Sequence, residues 1–271
     1  MSRKKEALKH FYEEVGAKYP EEEIVYGTLR GRLRKEFVRS YLKDWQGSLL
    51  DVGCNQGMYL YHYQDNRRIG IDLSLNVLRR ARKDPSLHYM VADAEQLQCI
   101  KPRSFDNVLC SEVLEHCIHP EAVFEGIHHV LKSSGKALIT TPNYRRNRPE
   151  WIDIGTLSHF GIENPVREGY LHTAFRAEEL VKMAEEAGFS ILESGTLEKE
   201  VKYAAKIPVL FLIMGNWLNR ILRWDWMAQM NEKCFNRLSL WIYFFCHATR
   251  LEKAILPFIR EGVRSYILVK K

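Results

Sequence analysis

The 271-residue chain has six cysteines, at 54, 99, 110, 117, 234 and 246, and no Cys-x-x-Cys pair. Scattered in this way they suit neither a zinc ribbon nor a disulfide framework, and they read as reduced thiols of a cytoplasmic protein. The sequence also lacks an uninterrupted run of the roughly 20 apolar residues that a spanning helix requires. Its opening, MSRKKEALKHFYEEV, is charged where a secretion signal would be apolar, so export is not the expectation. It shows no internal repeat and no low-complexity tract. What remains, 46% hydrophobic and 27% charged residues, is the composition of a globular chain that buries a sizeable core.

The charge is unevenly placed. Residues 201–260 contain nine Lys or Arg against three Asp or Glu, which equals the whole net excess of +6. The same segment holds the two most apolar stretches, Ile207–Leu222 and Leu238–Ala248. A basic, aromatic-rich, apolar segment on a neutral remainder reads as a surface or a lid rather than as core.

Residues 1–46 carry a helical pattern, with Ala7, Leu8, Phe11, Tyr12 and Val15 on one side and a break near Pro20,. The period then changes. Ser48–Gly53 is a short apolar run ending in a glycine turn, and further strand patterns follow at Arg68–Asp72, Leu87–Ala92, Asn107–Cys110 and Lys136–Thr140,. Helical patterns separate them, among them Val77–Lys83 and Pro120–Lys132. A helix at Ala177–Ala187, a strand at Ser190–Gly195 and a last strand at Ser265–Lys270 complete the series. Strands alternating with helices predict βαβ units in a mostly parallel, doubly wound α/β sheet.

The chemistry-bearing residues sit at the strand ends. The first strand runs into Asp51-Val52-Gly53-Cys54-Asn55-Gln56-Gly57, a loop in which backbone can approach a nucleotide-like ligand,. It lacks the G-x-G-x-x-G spacing of dinucleotide enzymes. Asp72 ends the second strand, where a carboxylate can accept two ribose hydroxyls, and Asp93 ends the third, where it can accept an exocyclic amine. Any one of these acids could be a turn or capping residue. Three in succession beside a glycine loop point to a ligand.

The order DVGCNQG, GIDLS, ADAEQL, FDNVLCSEVLEHCIHPEAVFEGIHHVLKSSGKALITTPN resembles a class I S-adenosylmethionine-dependent methyltransferase, closest to the group with the ubiquinone and menaquinone enzymes. The resemblance covers residues 45–143 and resumes at HTAFRAEELVKMAEEAGFSIL. It implies a Rossmann-like seven-stranded sheet of order 3-2-1-4-5-7-6 with strand 7 antiparallel. It also implies S-adenosyl-L-methionine as cofactor. Gly53, Cys54, Asn55 and Gly57 would line the methionine part with Asp51 beneath, Asp72 and Leu73 the adenosine, Asp93 and Ala94 the adenine edge, and Ser111 the side near the sulfonium. Asn55 stands where the pattern most often has glycine, and Asn tolerates positive φ better than most residues. The domains expected are an N-terminal helical cap (1–46), the cofactor-binding domain (47–202 with 261–271) and a helical insertion between strands 6 and 7 (203–260).

Glu112, Glu115 and His116 have the spacing of one helix face after the fourth strand, and three readings stay open: a divalent-ion site, a general base in His116, or a hydrogen-bonded helix start. No metal is expected. His172 is a second candidate base, and its alternative is a histidine that satisfies a loop carbonyl, as for His159. His128 and His129 read as packing or surface residues. The stretch Asn143–Arg176, with Tyr144, Arg145, Arg146, Arg148, Trp151, Phe160, Tyr170 and Phe175, is expected to shape the acceptor pocket. Residues 11–19 resemble the opening helix that closes such sites, with plain packing as the alternative.

The expected function is methyl transfer to a small-molecule acceptor, a lipid, isoprenoid or glycan-linked hydroxyl or carbon. A nucleic-acid methyltransferase fits less well. The Asn/Asp-Pro-Pro-Tyr/Phe tetrapeptide of base-amino enzymes is absent, Thr140-Thr141-Pro142-Asn143 standing at the neighbouring strand end, and no RNA-binding module is recognisable. A non-catalytic binding protein on the same fold would not need Gly53, Gly57, Asp72 and Asp93 together. Within 203–260, Trp217, Trp224, Trp226, Trp241, Tyr243, Phe244 and Phe245 alternate with Arg220, Arg223, Lys233, Arg237, Arg250 and Lys253. That mixture fits a membrane interface, and it also fits a lid packed on the protein itself or on a second subunit. Helices are expected there at Ile207–Trp224, Met227–Arg237 and Leu238–Ile259, the last kinked at Pro257. The protein is expected in the cytoplasm, with peripheral membrane association open.

Overall fold

The computed structural model describes residues 3–65, 67–144, 151–153, 157, 162, 169–222 and 225–271. Contacts group the chain into two compact units, one of residues up to 22, 38–195 and 264–271, the other of residues 23–37 and 196–263.

The first unit holds the sheet. Strands β1 (Leu49–Val52), β2 (Arg68–Asp72), β3 (Leu87–Val91), β4 (Phe105–Ser111), β5 (Leu131–Pro142), β8 (Ser190–Leu197) and β9 (Arg264–Lys270) lie in the order β3-β2-β1-β4-β5-β9-β8. A short hairpin, β6 (Trp151–Asp153) with β7 (Gly169–Leu171), stands apart from the sheet. Without it, the order is the 3-2-1-4-5-7-6 expected from the sequence. β1 runs parallel to β2 and β4, β2 to β3 and β4 to β5. β9 is antiparallel to β5, with Ile139 opposite Ile267.

The central strands read as apolar runs because both of their faces are covered. Leu50, Val52, Val108, Cys110 and Ile139 are fully buried, packed with Phe124 and Ile127 of α6 (Pro120–Val130) and Leu180 of α7 (Ala177–Glu186). The other helices of this unit are α1 (Arg3–Lys18), α4 (Met58–His62) and α5 (Leu75–Arg79). Two helices run across the boundary between the units, α2 (Glu21–Gly27) and α3 (Leu29–Leu42).

The second unit contains α8 (Val201–Ala204), α9 (Lys206–Leu222), α10 (Asp225–Ala248) and α11 (Glu252–Ile255), all between β8 and β9 in the chain. Its core joins Leu29, Val201 and Ala204 with Leu240 and Tyr243.

Two expectations need correction, and one element has no counterpart in the sequence patterns. The helix expected over 120–132 ends at Val130, because Leu131 turns to extended backbone (φ −71°, ψ 140°) and pairs with Phe105. The helices expected at Met227–Arg237 and Leu238–Ile259 are instead one helix, α10, and Arg250 (φ 59°) follows it, ahead of Pro257. The hairpin β6–β7 went unrecognised, since three-residue strands carry too little alternation to register,. Arg145, Arg146, Arg148, His159, Phe160, Arg223 and Trp224 lie outside the described residues, as do the side chains of Trp151, Arg220 and Trp226.

Candidate functional site

At the carboxyl ends of β1, β2 and β3, in the first unit, lies a cavity of about 150 Å³. Parallel strands place their C-terminal loops on one edge, so residues far apart in sequence converge there. Gly53, Asn55, Asp72, Leu73, Asp93 and Ala94 all line it, together with Glu95, Glu112, Val113, His116 and Cys117. From α1 come Leu8, Tyr12, Val15 and Gly16, and from α2 Glu21. Asp51, Cys54, Gly57, Ser111 and His172 are not on its wall.

The β1 loop turns on left-handed backbone. Gly53 (φ 70°), Asn55 (φ 49°) and Gly57 (φ 80°) all have positive φ, which glycine adopts freely and asparagine tolerates. A Cβ on Gly53 would meet Val113 Cγ2 at 2.3 Å, and one on Gly57 would meet the Tyr89 hydroxyl at 2.2 Å. Asp72 holds the loop: it accepts from the backbone N–H of Asn55 (3.1 Å) and of Ser74 (2.9 Å). Burial still leaves its pKa above the ordinary carboxylate value, those hydrogen bonds opposing part of the rise. Asp51 is buried, one of its oxygens has no protein partner, and burial, with Asp72 and Glu22 nearby, pushes its pKa well up. Cys54 is packed behind the loop, its sulfur beside Gly70.

Helix α1 is strapped over this edge by charged clasps. Lys5 Nζ lies 2.9 Å from both Asp93 and Glu95. Burial opposes the Lys5 charge, but these two carboxylates prevail and its pKa is raised. Glu13 accepts from Ser74 Oγ and from the backbone N–H of Leu75 and Asn76, each at 3.0 Å, so a carboxylate of one helix caps another,. Asn55 Nδ2 donates to Glu21 at 2.7 Å, and Arg80 donates to the carbonyls of Ala17 and Tyr19. Phe11 and Val15 pack with Ile162 and Tyr170. Only the apolar stripe of α1 was legible in advance; these clasps join residues up to 88 positions apart.

Glu13→Ala is expected to lower stability by about 0.5–2 kcal/mol, the usual cost of a lost cap, as read by thermal melting. Burial would raise the Glu13 pKa, yet the Asn76, Leu75 and Ser74 donors bring it below 4.5. Its contribution is therefore complete above pH 4.5 and is lost as pH falls through the lower folded-state value.

Glu112, Glu115 and His116 do not share a helix face, which corrects the expectation from their spacing. Glu112 has φ 60°, and only Leu114–His116 form a helical turn, of 3-10 type. Glu112 accepts from Arg264 Nε (2.5 Å) and Thr140 Oγ1 (3.1 Å), and Ser111 Oγ is 2.9 Å from the same threonine hydroxyl. Glu115 accepts from Thr141 Oγ1 at 3.3 Å. With these carboxylates turned to an arginine and two threonines, turnover is expected to survive EDTA. Its collapse in EDTA and recovery with magnesium would assign the three residues to a metal.

His116 reaches the cavity with Nδ1 3.2 Å from the Leu171 carbonyl. Burial, with His172 beside it, lowers its pKa to about 4. It is therefore neutral near pH 7. Nδ1–H donates to Leu171, and Nε2 is left as an acceptor. Around it stand Tyr12 and His172, with ring centroids 5.4 Å away, and Tyr170 at 6.1 Å. His172 is buried with Nδ1 unpartnered, and burial lowers its pKa. His128 packs on Phe189, and His129 Nε2 is 3.1 Å from the Ile100 carbonyl, as packing residues would be.

Comparisons with known proteins address the same fold. A ubiquinone biosynthesis O-methyltransferase of Xanthomonas euvesicatoria is 32% identical over 121 residues, covering 41% of this chain and 49% of the relative. The chain thus spans about half the length of that relative. The corresponding enzyme of Hydrogenovibrio crunogenus is 28% identical over 195 residues, covering 67% of this chain and 80% of the relative. Among solved structures, an S-adenosylmethionine-dependent methyltransferase of Mesorhizobium loti superposes with a TM-score of 0.52 at 16% identity, covering 87% of this chain and 96% of that one. Phosphoethanolamine N-methyltransferase 2 of Haemonchus contortus gives 0.50 at 18%, covering 88% and 52%. Residues 7–194 match the methyltransferase domain, and with more than half of its length so matched the chain belongs to the class I S-adenosylmethionine-dependent methyltransferase family.

Proposed function

We propose that this protein methylates a small-molecule acceptor of lipid, isoprenoid or glycan-linked type. The observation that supports this is the convergence of the glycine loop, Asp72 and Asp93 on a cavity that also holds a neutral histidine, His116. The residues fit S-adenosylmethionine. Asp51 keeps a buried oxygen without a protein partner, and Asp72 has acceptor capacity beyond its backbone bonds,. On this reading Gly53 and Asn55 hold the methionine part, with Asp51, Cys54 and Gly57 shaping the loop from behind. Asp72 and Leu73 hold the adenosine, and Asp93 and Ala94 the adenine edge. Ser111 acts through Thr140 and Glu112 near the sulfonium. Residues 1–46 serve as the cap, 47–202 with 261–271 as the catalytic domain, and 203–260 as an insertion.

When bound, S-adenosylmethionine supplies an electrophilic methyl group on a sulfonium, so the protein need not activate a leaving group. What the chain contributes is alignment and a dry site. Helix α1 covers the cavity with Leu8, Tyr12 and Val15. His116 Nε2 receives the proton of an acceptor hydroxyl, its tautomer fixed by Leu171,. His172, beside it, is the second group able to take a proton.

Calorimetry with S-adenosylmethionine tests the first half of the proposal, and transfer of labelled methyl to lipid fractions tests the second. Absence of binding at millimolar cofactor would overturn the site. Binding with transfer only to nucleic acid would overturn the acceptor class.

A further inference from the structure

The second unit carries an apolar surface that its own packing does not use. Along α9, Ile207, Leu210, Phe211, Met214, Trp217 and Leu218 fall at positions i, i+3, i+4, i+7, i+10 and i+11, and all are exposed. The first five leave from 55% of their surface open (Met214) to 66% (Leu210). A different stripe of the same helix, Pro208, Leu212, Gly215 and Asn219, is buried or half-buried, and a Cβ on Gly215 would meet Asn231 of α10 at 2.6 Å. The packed side of α9 is therefore already occupied, and the outward side is the greasier of the two. This inverts the usual arrangement of a surface helix.

Helix α10 repeats the pattern. Leu240, Tyr243 and Cys246 turn inward or are half-buried, while Trp241, Phe244 and Phe245 leave 51–63% of their surface open. Trp241 and Phe245 stack on each other at 5.6 Å. Large apolar side chains left in water in this number mark an interaction surface,.

What covers it is indicated by charge. Lys202 and Lys206 are exposed at the start of the α9 stripe, Lys233 and Arg237 on α10, and Arg250 and Lys253 just after it. Acidic residues number only three between 201 and 260. Among the described residues no helix is long and apolar enough to cross a membrane. Tryptophan and other large apolar side chains, flanked by lysine and arginine on helices too polar to span, are the composition of helices that lie in the plane of a phosphate-bearing bilayer surface.

We propose that the outward faces of α9 and α10 dock on an anionic lipid bilayer, with Leu210, Phe211 and Trp217 entering the headgroup boundary and the neighbouring lysines and arginines meeting lipid phosphates. The proposal does not depend on the methyltransferase site, because flotation reads the surface alone.

The test is flotation of the full chain with vesicles of phosphatidylglycerol and phosphatidylcholine, beside vesicles of phosphatidylcholine alone. The wild type is expected to rise with the anionic vesicles at low salt and to be partly released at high salt. Tryptophan emission should shift to the blue. The double variant Leu210→Glu, Trp217→Glu should lose about tenfold or more in vesicle-bound fraction. Because both side chains already face water, its circular dichroism and its S-adenosylmethionine binding should match the wild type. Two results would overturn the proposal. One is full-length protein that stays at the bottom with anionic vesicles at low salt. The other is a dimer in sedimentation that the same double variant converts to monomer, which would give the surface to a second copy of the chain.

Discussion

Replacing His116 with asparagine is expected to lower kcat about a hundredfold, toward the lower end of the 10²–10⁴ range typical of a positioned general base. The modest end is chosen for a reason. Burial and the neighbouring His172 hold the His116 pKa at about 4, so the imidazole is always in its basic form near neutrality but is a weak base there. The pH dependence follows. A wild-type kcat/KM governed by His116 should be flat through neutrality and fall only near pH 4, far below the 6 to 7 of an ordinary histidine. The folded pKa lies below the unfolded value of 6.5. The stability tied to the neutral ring is thus present above pH 6.5 and is lost as pH falls through about 4. His172→Asn, removing a group that does not line the cavity, should cost less in kcat. If His116→Asn retains full turnover on an acceptor the wild type methylates, the base assignment fails and alignment alone carries the reaction.

The sheet was readable in the sequence because buried parallel strands leave a strong signature. β2 ends in Asp72, Asp93 follows β3 and β1 runs on into a glycine turn, and Gly53, Asp72 and Asp93 line one cavity wall as the motif order implied. The turn at Asn55 was readable too, from the tolerance of asparagine for the φ of 49° that it adopts. The grouping of Glu112, Glu115 and His116 was not. Their spacing fits a helix, but Glu112 takes positive φ to meet Arg264, a partner 152 positions away, and no local pattern announces such a pairing. The clasps of α1 were hidden for the same reason: Lys5 and Glu13 look like solvated helix residues until β3 and α5 are placed beside them. Tyr170 and His172, in the stretch 143–176 expected at the acceptor pocket, stand beside His116, although their distance in sequence from the β4 end meant that the resemblance, and no local pattern, carried that expectation.

Asp72→Ala is expected to weaken S-adenosylmethionine binding by roughly 1.5–3 kcal/mol, the range for hydrogen bonds to a charged group, which is about 10- to 150-fold in Kd. The fold should tolerate the change. Burial raises the Asp72 pKa, so its ionised form is held at a cost, and the stability linked to this group is greatest below pH 3.8 and is lost as pH rises through the folded value,. Deleting the carboxylate removes that cost at neutral pH while leaving the Asn55 and Ser74 N–H groups without this acceptor. The two effects oppose each other. The loop is also tied by the backbone bonds from Gly53 and Cys54 to the Ile71 carbonyl, at 2.8 and 2.9 Å, which the substitution does not touch. The melting temperature at pH 7 should therefore move by no more than about 4 °C, against a large loss of affinity. That split separates a ligand-holding carboxylate from a structural one, for which affinity and melting temperature would fall together. Unchanged affinity by calorimetry in a folded Asp72→Ala protein would remove Asp72 from the cofactor site, and with it the assignment of the adenosine end to β2.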